Sequence, residues 1–161
     1  ADLGNRGLLF AGIGWYTRLE FPYLNNIMEQ GEYVHIEKAG LKIYPEYGTY
    51  SDFNALPDSI FLYIADENNV VTDAVKDYLG KQVQGGKLVK DDLFLGNTYY
   101  YFDVTQFMKE ELGASGKYKH NLQLVFNSDD YTKTLKNLTF SAPNGQNPII
   151  LQLNYKIYES Y

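Results

Sequence analysis

Cysteine is absent from this sequence of 161 residues. Its absence excludes disulfide bonds, thiolate metal sites and cysteine nucleophiles, and it argues against the disulfide-stapled extracellular modules of eukaryotes. Histidine is scarce as well, because His35 and His120 are the only two and lie far apart. A metal site normally needs histidines at close spacing or supported by carboxylates, so we interpret both as partly exposed strand residues.

Positively charged residues and long apolar runs are also few. Fourteen Lys and Arg against 20 Asp and Glu give a formal net charge of −6, and no Lys/Arg stripe offsets it. This charge repels phosphate backbones and argues against nucleic acid as a partner. The longest apolar stretches, Leu8–Ile13 and Ile60–Ala65, suit strands and are too short to span a bilayer. The first residue is Ala1, which is compatible with a removed signal peptide.

Tyrosine, in contrast, is abundant. The chain has 16 Tyr and 9 Phe, with 45% hydrophobic and 21% charged residues. This composition is typical of a globular protein, and the length suits one domain over residues 1–161. Aromatic rings pack well on a pleated, half-buried surface, so the tyrosines favour strands.

Apolar residues recur with a period of two along most of the chain, as half-buried strands require. In the strand predicted over Val34–Tyr44 the apolar phase shifts between Ile36 and Ala39, which indicates a β-bulge or a crossing between sheets. Ser59–Ala65 is apolar on both faces, which predicts a central strand. About eight or nine strands follow at short spacing. The pattern predicts an all-β fold, a β-sandwich of jelly-roll type with short connecting helices.

Three connecting helices are predicted from cap residues and from the glycines that follow them. Their limits are Tyr23–Gln30, Thr72 or Asp73 to Leu79, and Asp103 or Thr105 to Leu112, with stops at Gly31, Gly80 and Gly113.

Four stretches, taken in order, resemble a known family. They are Gly14–Leu19, Ile36–Ile43, Tyr101–Thr105 and the closing strand Ile150–Tyr155. Together they resemble the C-terminal part of a family of uncharacterised lipid-anchored surface proteins of Bacteroidetes, a domain of unknown function. The Lys-Ala-x-Leu, Phe-Asp-x-Thr and Leu-x-Tyr patterns within them also resemble jelly-roll modules found beside carbohydrate-active enzymes. The resemblance implies an exported protein at the outer-membrane surface, held by a lipid anchor outside this chain.

Carboxylates occur as doublets at Asp66-Glu67, Asp91-Asp92, Glu110-Glu111 and Asp129-Asp130. Adjacent strand residues point to opposite faces, so a doublet is not the facing pair that a glycosidase needs. Gly-x-Ser-x-Gly and phosphate-binding glycine loops are absent too, and we predict no catalytic site and no cofactor. Calcium is a better candidate, because oxygen ligands surround two loops. These ligands are Asp66, Asn68 and Asp73 in one loop, and Ser128, Asp129 and Asp130 in the other.

Aromatic residues in loops are the strongest functional signal. Trp15 is the only tryptophan, and Tyr47 and Tyr50 share a loop rich in Gly and Pro. Such rings can bind the apolar faces of sugars or anchor a protein partner, so we predict these three as ligand-binding residues. Tyr99 and Tyr101 are interpreted instead as sheet-packing residues.

One short motif predicts a modification. Asp58-Ser59-Ile60 matches the Asp-Ser/Thr-aliphatic sequon that Bacteroidetes use for O-glycosylation of exported proteins, which makes Ser59 the predicted site.

The absence of a catalytic pattern and the aromatic loop residues, together with the location that the resemblance implies, predict a non-catalytic cell-surface accessory domain that binds a glycan, a peptide or a partner protein at the bacterial outer membrane. A structural adhesin or pilus-like subunit is one alternative, for which sheet edges that accept a donor strand would be diagnostic. A polysaccharide-acting hydrolase with carboxylates from separate strands is the other.

Overall fold

Ten strands and two helices form the regular structure of the computed structural model in the residues that it describes, 6–30, 33–77, 79–91, 93, 97–115, 120–127, 136–141 and 148–158. The strands are β1 Gly7–Phe10, β2 Thr17–Leu19, β3 Tyr33–Ile43, β4 Ser59–Ala65, β5 Val71–Ala74, β6 Gly85–Val89, β7 Tyr99–Asp103, β8 Asn121–Val125, β9 Asn137–Phe140 and β10 Ile150–Tyr158. The helices are α1 Asn25–Met28 and α2 Thr105–Ser115. The predicted all-β class is confirmed.

The described strands pair antiparallel in two sheets. The larger has the order β10-β3-β7-β6-β4-β8-β2, with β5 beside β4, and it curls into a half-barrel. The smaller consists of β1 and β9. Leu41 and Phe102 are paired and buried in the larger sheet, and they share one core with Leu138 and Phe140 of the smaller sheet. Two sheets enclosing one core agree with the predicted sandwich.

β3 contains the predicted change of phase. Its register with β10 passes from Asn154 opposite Lys38 to Tyr155 opposite Ile36, which leaves Glu37 as the extra residue of a bulge. Because one residue is added, the apolar residues on both sides of Glu37 face the same core.

β4 is the central strand that its two apolar faces predict. It pairs with β8 along one edge, while β6 and β5 pair with successive parts of its other edge. Ile60 and Leu62 are fully buried on the inner face, whereas Phe61 and Tyr63 are half-buried on the outer face. A strand paired on both edges and covered on both faces excludes polar side chains from most positions.

The helix predicted from Thr72 or Asp73 to Leu79 is wrong. Val71–Ala74 forms β5 instead and pairs with the end of β4. Residues that cap helices also favour turns and strand ends, so the cap signal does not decide between them. Pairing with β4 and the β-branched residues at the start of this segment favour the strand.

The other two predicted helices are confirmed. α1 lies within Tyr23–Gln30, and α2 begins at Thr105, whose backbone N–H donates to the Asp103 carboxylate at 2.9 Å. α2 continues to Ser115, so Gly113 lies inside its last turn and does not end it. In the described part of the chain, neither helix has the length and apolar character needed to cross a membrane.

Candidate functional site

The loop between β3 and β4, which we call the tyrosine loop, carries two of the three predicted ligand-binding residues. At its start, the backbone N–H of Glu46 donates to the carbonyl of Thr139 in β9 at 2.8 Å. At its end, the buried hydroxyl of Tyr100 donates to the carbonyl of Pro57 at 2.7 Å. These bonds attach both ends of the loop to the sheets.

Tyr47 and Tyr50 lie close together on this loop and meet the connection between β6 and β7. Tyr50 hydrogen-bonds with the side chain of Thr98, whose Oγ1 accepts the backbone N–H of Asp91 at 3.1 Å. Tyr47 keeps 64% of its surface exposed, whereas Tyr50 is half-buried. We call Tyr47, Tyr50, Asp91 and Thr98 the tyrosine cluster. The cluster combines the exposed ring of Tyr47 with the hydroxyl of Tyr50 and the carboxylate of Asp91.

The environment of Tyr50 changes its acidity. Burial raises the pKa of Tyr50 above its ordinary value, the nearby Tyr47 and Asp91 raise it further, and the hydrogen bond with Thr98 partly opposes them. The folded protein therefore holds this proton more tightly than the unfolded chain. The associated stability is complete below the ordinary tyrosine pKa and is lost as the pH rises through the raised value.

This shift can be measured by alkaline titration. We expect the absorbance difference between the native protein and Tyr50→Phe to report one phenol that ionises above the reference pKa of 10.0. Subtracting the titration curve of the variant removes the absorbance change of the other tyrosines. A midpoint at or below that value would contradict the burial of this hydroxyl.

Trp15 belongs to a separate segment, the turn between β1 and β2. The backbone N–H groups of Phe10 and Trp15 each donate to the other's carbonyl at 3.3 Å, and Gly14 in the turn has a left-handed φ of 70°. Trp15 keeps 52% of its surface exposed. β9 lies between β1, which leads into this turn, and the tyrosine loop, since one edge of β9 pairs with β1 and its other edge with Pro45 and Glu46. The three predicted aromatic residues therefore lie on two separate segments.

The first loop predicted for calcium is a tight hairpin turn. The Asp66 carboxylate accepts the backbone N–H groups of Asn68 and Val70 at 2.9 and 2.8 Å, and Asn69 adopts a left-handed φ of 64°. This geometry reverses the chain from β4 into β5. Asp66 therefore has a structural role that needs no metal.

Asp73, the third predicted ligand of that loop, forms an ion pair with Lys76 at 2.8 Å. Within the described ranges, no group of three or more His, Asp or Glu side chains could hold a metal ion. The second predicted loop, with Ser128, Asp129 and Asp130, lies outside the described residues. Calcium binding at either loop stays a prediction.

Ser59, the predicted modification site, is the first residue of β4. It is half-buried and stands opposite Lys87 of β6. A sugar attached there would lie on the outer face of the larger sheet, because the next residue, Ile60, faces the core. Its modification stays a prediction.

A carboxylate–histidine pair that sequence patterns did not reveal joins α2 to the start of β8. Glu111, only 9% exposed, accepts the backbone N–H of His120 at 2.9 Å and lies 2.7 Å from its Nδ1. The pair connects two elements that pack on the same core. The Glu111–His120 pair therefore has a structural explanation. The other histidine, His35, is exposed in β3.

Two clefts have carboxylates in their lining, as the site of a polysaccharide-acting hydrolase would. One, of about 560 Å³, opens beside β1 and β2 and has Glu20 in its lining. The other, of about 370 Å³, lies between β5 and α2 and contains Asp73 and Glu110. A glycosidase needs one carboxyl with a raised pKa, whereas the hydrogen bond from Lys76 lowers the pKa of Asp73. Asp73 is therefore a poor general acid.

Comparisons with protein-family models, curated proteins and solved structures find no match to this chain. The resemblance to Bacteroidetes surface proteins, and the location and partners that it implies, stay predictions.

Proposed function

We propose that this chain is a non-catalytic binding domain and that its tyrosine cluster binds a glycan. The exposed ring of Tyr47, presented on a loop attached at both ends, is the observation that carries the proposal. A tyrosine ring has a flat apolar body that can cover the C–H face of a sugar. The neighbouring Tyr50 hydroxyl and Asp91 carboxylate supply polar groups that can hydrogen-bond with sugar hydroxyls.

The loop geometry supports this proposal. Phe53, another aromatic residue of the same loop, is fully exposed. The hydrogen bonds inside the loop include one from the Asn54 side chain to the carbonyl of Thr49 at 3.0 Å. An ordered loop loses little conformational entropy when a ligand binds, which favours affinity.

The cellular setting is a second part of the proposal and is supported by the resemblance alone. In this view the domain belongs to an exported, lipid-anchored protein at the outer-membrane surface and acts beside a nutrient transporter. Fractionation of the producing cells tests this part independently. Recovery in the cytoplasm would overturn it without affecting the glycan proposal.

Glycan binding can be tested with a polysaccharide panel and calorimetry. We expect Tyr47→Ala to weaken binding of the recognised glycan about tenfold or more, because the stacking surface is lost. Tyr23→Ala is the matched control, since Tyr23 is also exposed but lies beside α1. Equal losses in both variants, or no binding to any glycan, would overturn the assignment. If the protein bound a peptide or another protein and Tyr47→Ala abolished that binding, the ligand of the tyrosine cluster would be a polypeptide and not a glycan.

A structural subunit is the second candidate function, and one observation favours it. β10 is a long edge strand whose outer edge has no partner strand among the described residues. Such an edge is the feature expected of a protein that assembles by strand addition.

A further inference from the structure

The outer edge of β10 has no partner strand among the described residues, and it differs from the other edges of the sheet. β10 is nine residues long and pairs with β3 along one side for its whole length. β2, at the opposite end of the sheet, has three residues, and β5 has four. Natural edge strands are usually kept short, charged or interrupted by proline, because a long free edge recruits other strands. β10 has none of these protections apart from one lysine.

That lysine contributes little net charge to the edge. Lys156 is the only charged residue of β10, and it forms an ion pair with Glu37 of β3 in the same chain. The outer edge of β10 is therefore nearly neutral, and no strand among the described residues pairs with its backbone groups. A neutral, extended strand without proline is suited to pairing with another strand.

The inner face of β10 is also incompletely covered. Leu151, Leu153 and Tyr155 pack against the core but are only partly buried. Ile157, the next residue on this face, keeps 40% of its surface exposed. A strand added beside β10 would bury apolar surface as well as satisfy backbone groups.

We propose that β10 pairs antiparallel with β10 of a second copy of this chain, about a two-fold axis at Asn154. The proposal is independent of the tyrosine cluster. This register is the one that pairs all nine residues, since the strand runs from Ile150 to Tyr158 and Asn154 is its midpoint. Directly opposed residues on antiparallel strands share a face, so each pair can be checked for compatibility.

The pairs that result are compatible on both faces. On the inner face, Leu151 stands opposite Ile157 of the partner subunit, and Leu153 opposite Tyr155 of the partner subunit. On the outer face, Gln152 stands opposite Lys156 of the partner subunit, so no like charges meet. A contact that uses the same strand in both copies closes at two subunits and leaves no second β10 for growth. The proposal is therefore a dimer and not a fibre.

The absence of cysteine makes the register directly testable. We expect Asn154→Cys to form a cross-linked dimer under mild oxidation or with a short thiol cross-linker, because the two thiols face each other across the axis. Gln152→Cys and Lys156→Cys are expected to cross-link when mixed and much less when each is alone. Leu79→Cys is the control for random collisions, because Leu79 is exposed in the connection between β5 and β6, several strands away from β10 in the sheet order.

Charge variants test the same register without a cross-link. Gln152→Lys places two lysines opposite each other, and we expect it to weaken the dimer about tenfold or more in sedimentation equilibrium. Gln152→Glu is expected to tighten the dimer, because a carboxylate then faces Lys156 of the partner subunit. The proposal would be overturned if the native protein stayed monomeric at high micromolar concentration or formed open-ended polymers. Cross-linking of Leu79→Cys equal to that of Asn154→Cys would also overturn it. Circular dichroism confirms that each variant is folded.

Discussion

Gly86→Ala is expected to lower the free energy of unfolding by about 3 kcal/mol, at the upper end of typical overpacking costs. Gly86 is buried in β6, and a Cβ atom added there would lie 2.1 Å from Cζ and 2.4 Å from Cε2 of Phe102. Phe102 has no exposed surface, and β7, which carries it, is paired on both sides. The ring cannot move away without disturbing the close-packed core. Urea denaturation followed by circular dichroism measures the loss.

Gly85→Ala is the matched control in the same strand. An added Cβ there meets Phe61 and Ser59 at 3.5 Å, which is ordinary van der Waals contact on the outer face. We expect a change within about 0.5 kcal/mol. Combining Gly86→Ala with Phe102→Leu is expected to cost less than the sum of the two single changes, because the smaller side chain makes room. Equal losses at the two glycines would contradict a specific clash with Phe102.

The sequence could predict features that depend on which way neighbouring side chains point. The change of apolar phase in β3 predicts a bulge or a crossing between sheets, and the structure has a bulge there, at Glu37. The two apolar faces of Ser59–Ala65 predict a central strand. Both follow from the period of two within one strand. Tyr99 and Tyr101 likewise lie half-buried on the outer face, and the Tyr101 ring covers Gly40.

Features that depend on pairing between distant segments could not be predicted. Asp91 joins Tyr50 because Val89 pairs with Tyr99, which places the connection between β6 and β7 beside the tyrosine loop. No local pattern signals this contact. The position of β10 at one edge of the described sheet depends in the same way on the order of strands, which a hydrophobic pattern does not encode. The helix predicted from Thr72 or Asp73 is wrong because the pairing of β5 with β4 overrides the local helix-cap signal.

Tyr100 gives the second large effect, because it is both a core residue and the anchor of the tyrosine loop. Its ring is fully buried, so we expect Tyr100→Ala to cost about 3–5 kcal/mol of stability. Tyr100→Phe keeps the ring and removes only the hydroxyl that donates to the Pro57 carbonyl. That change is expected to cost about 1–2 kcal/mol, since a buried carbonyl loses its donor.

The hydroxyl of Tyr100 should also affect the binding surface, because it anchors the end of the tyrosine loop. Its effect on the loop distinguishes this anchoring from a general loss of stability. In Tyr100→Phe we expect the amides of Thr49 and Asn54 to exchange hydrogen faster, because the end of their loop is released. We also expect weaker glycan binding, because Tyr47 must then be ordered when the ligand arrives. Tyr99→Phe is the control, since Tyr99 is next in sequence and its ring packs on Tyr44 at the outer face. Unchanged exchange in the loop of Tyr100→Phe would show that the Pro57 contact does not hold the tyrosine cluster in place.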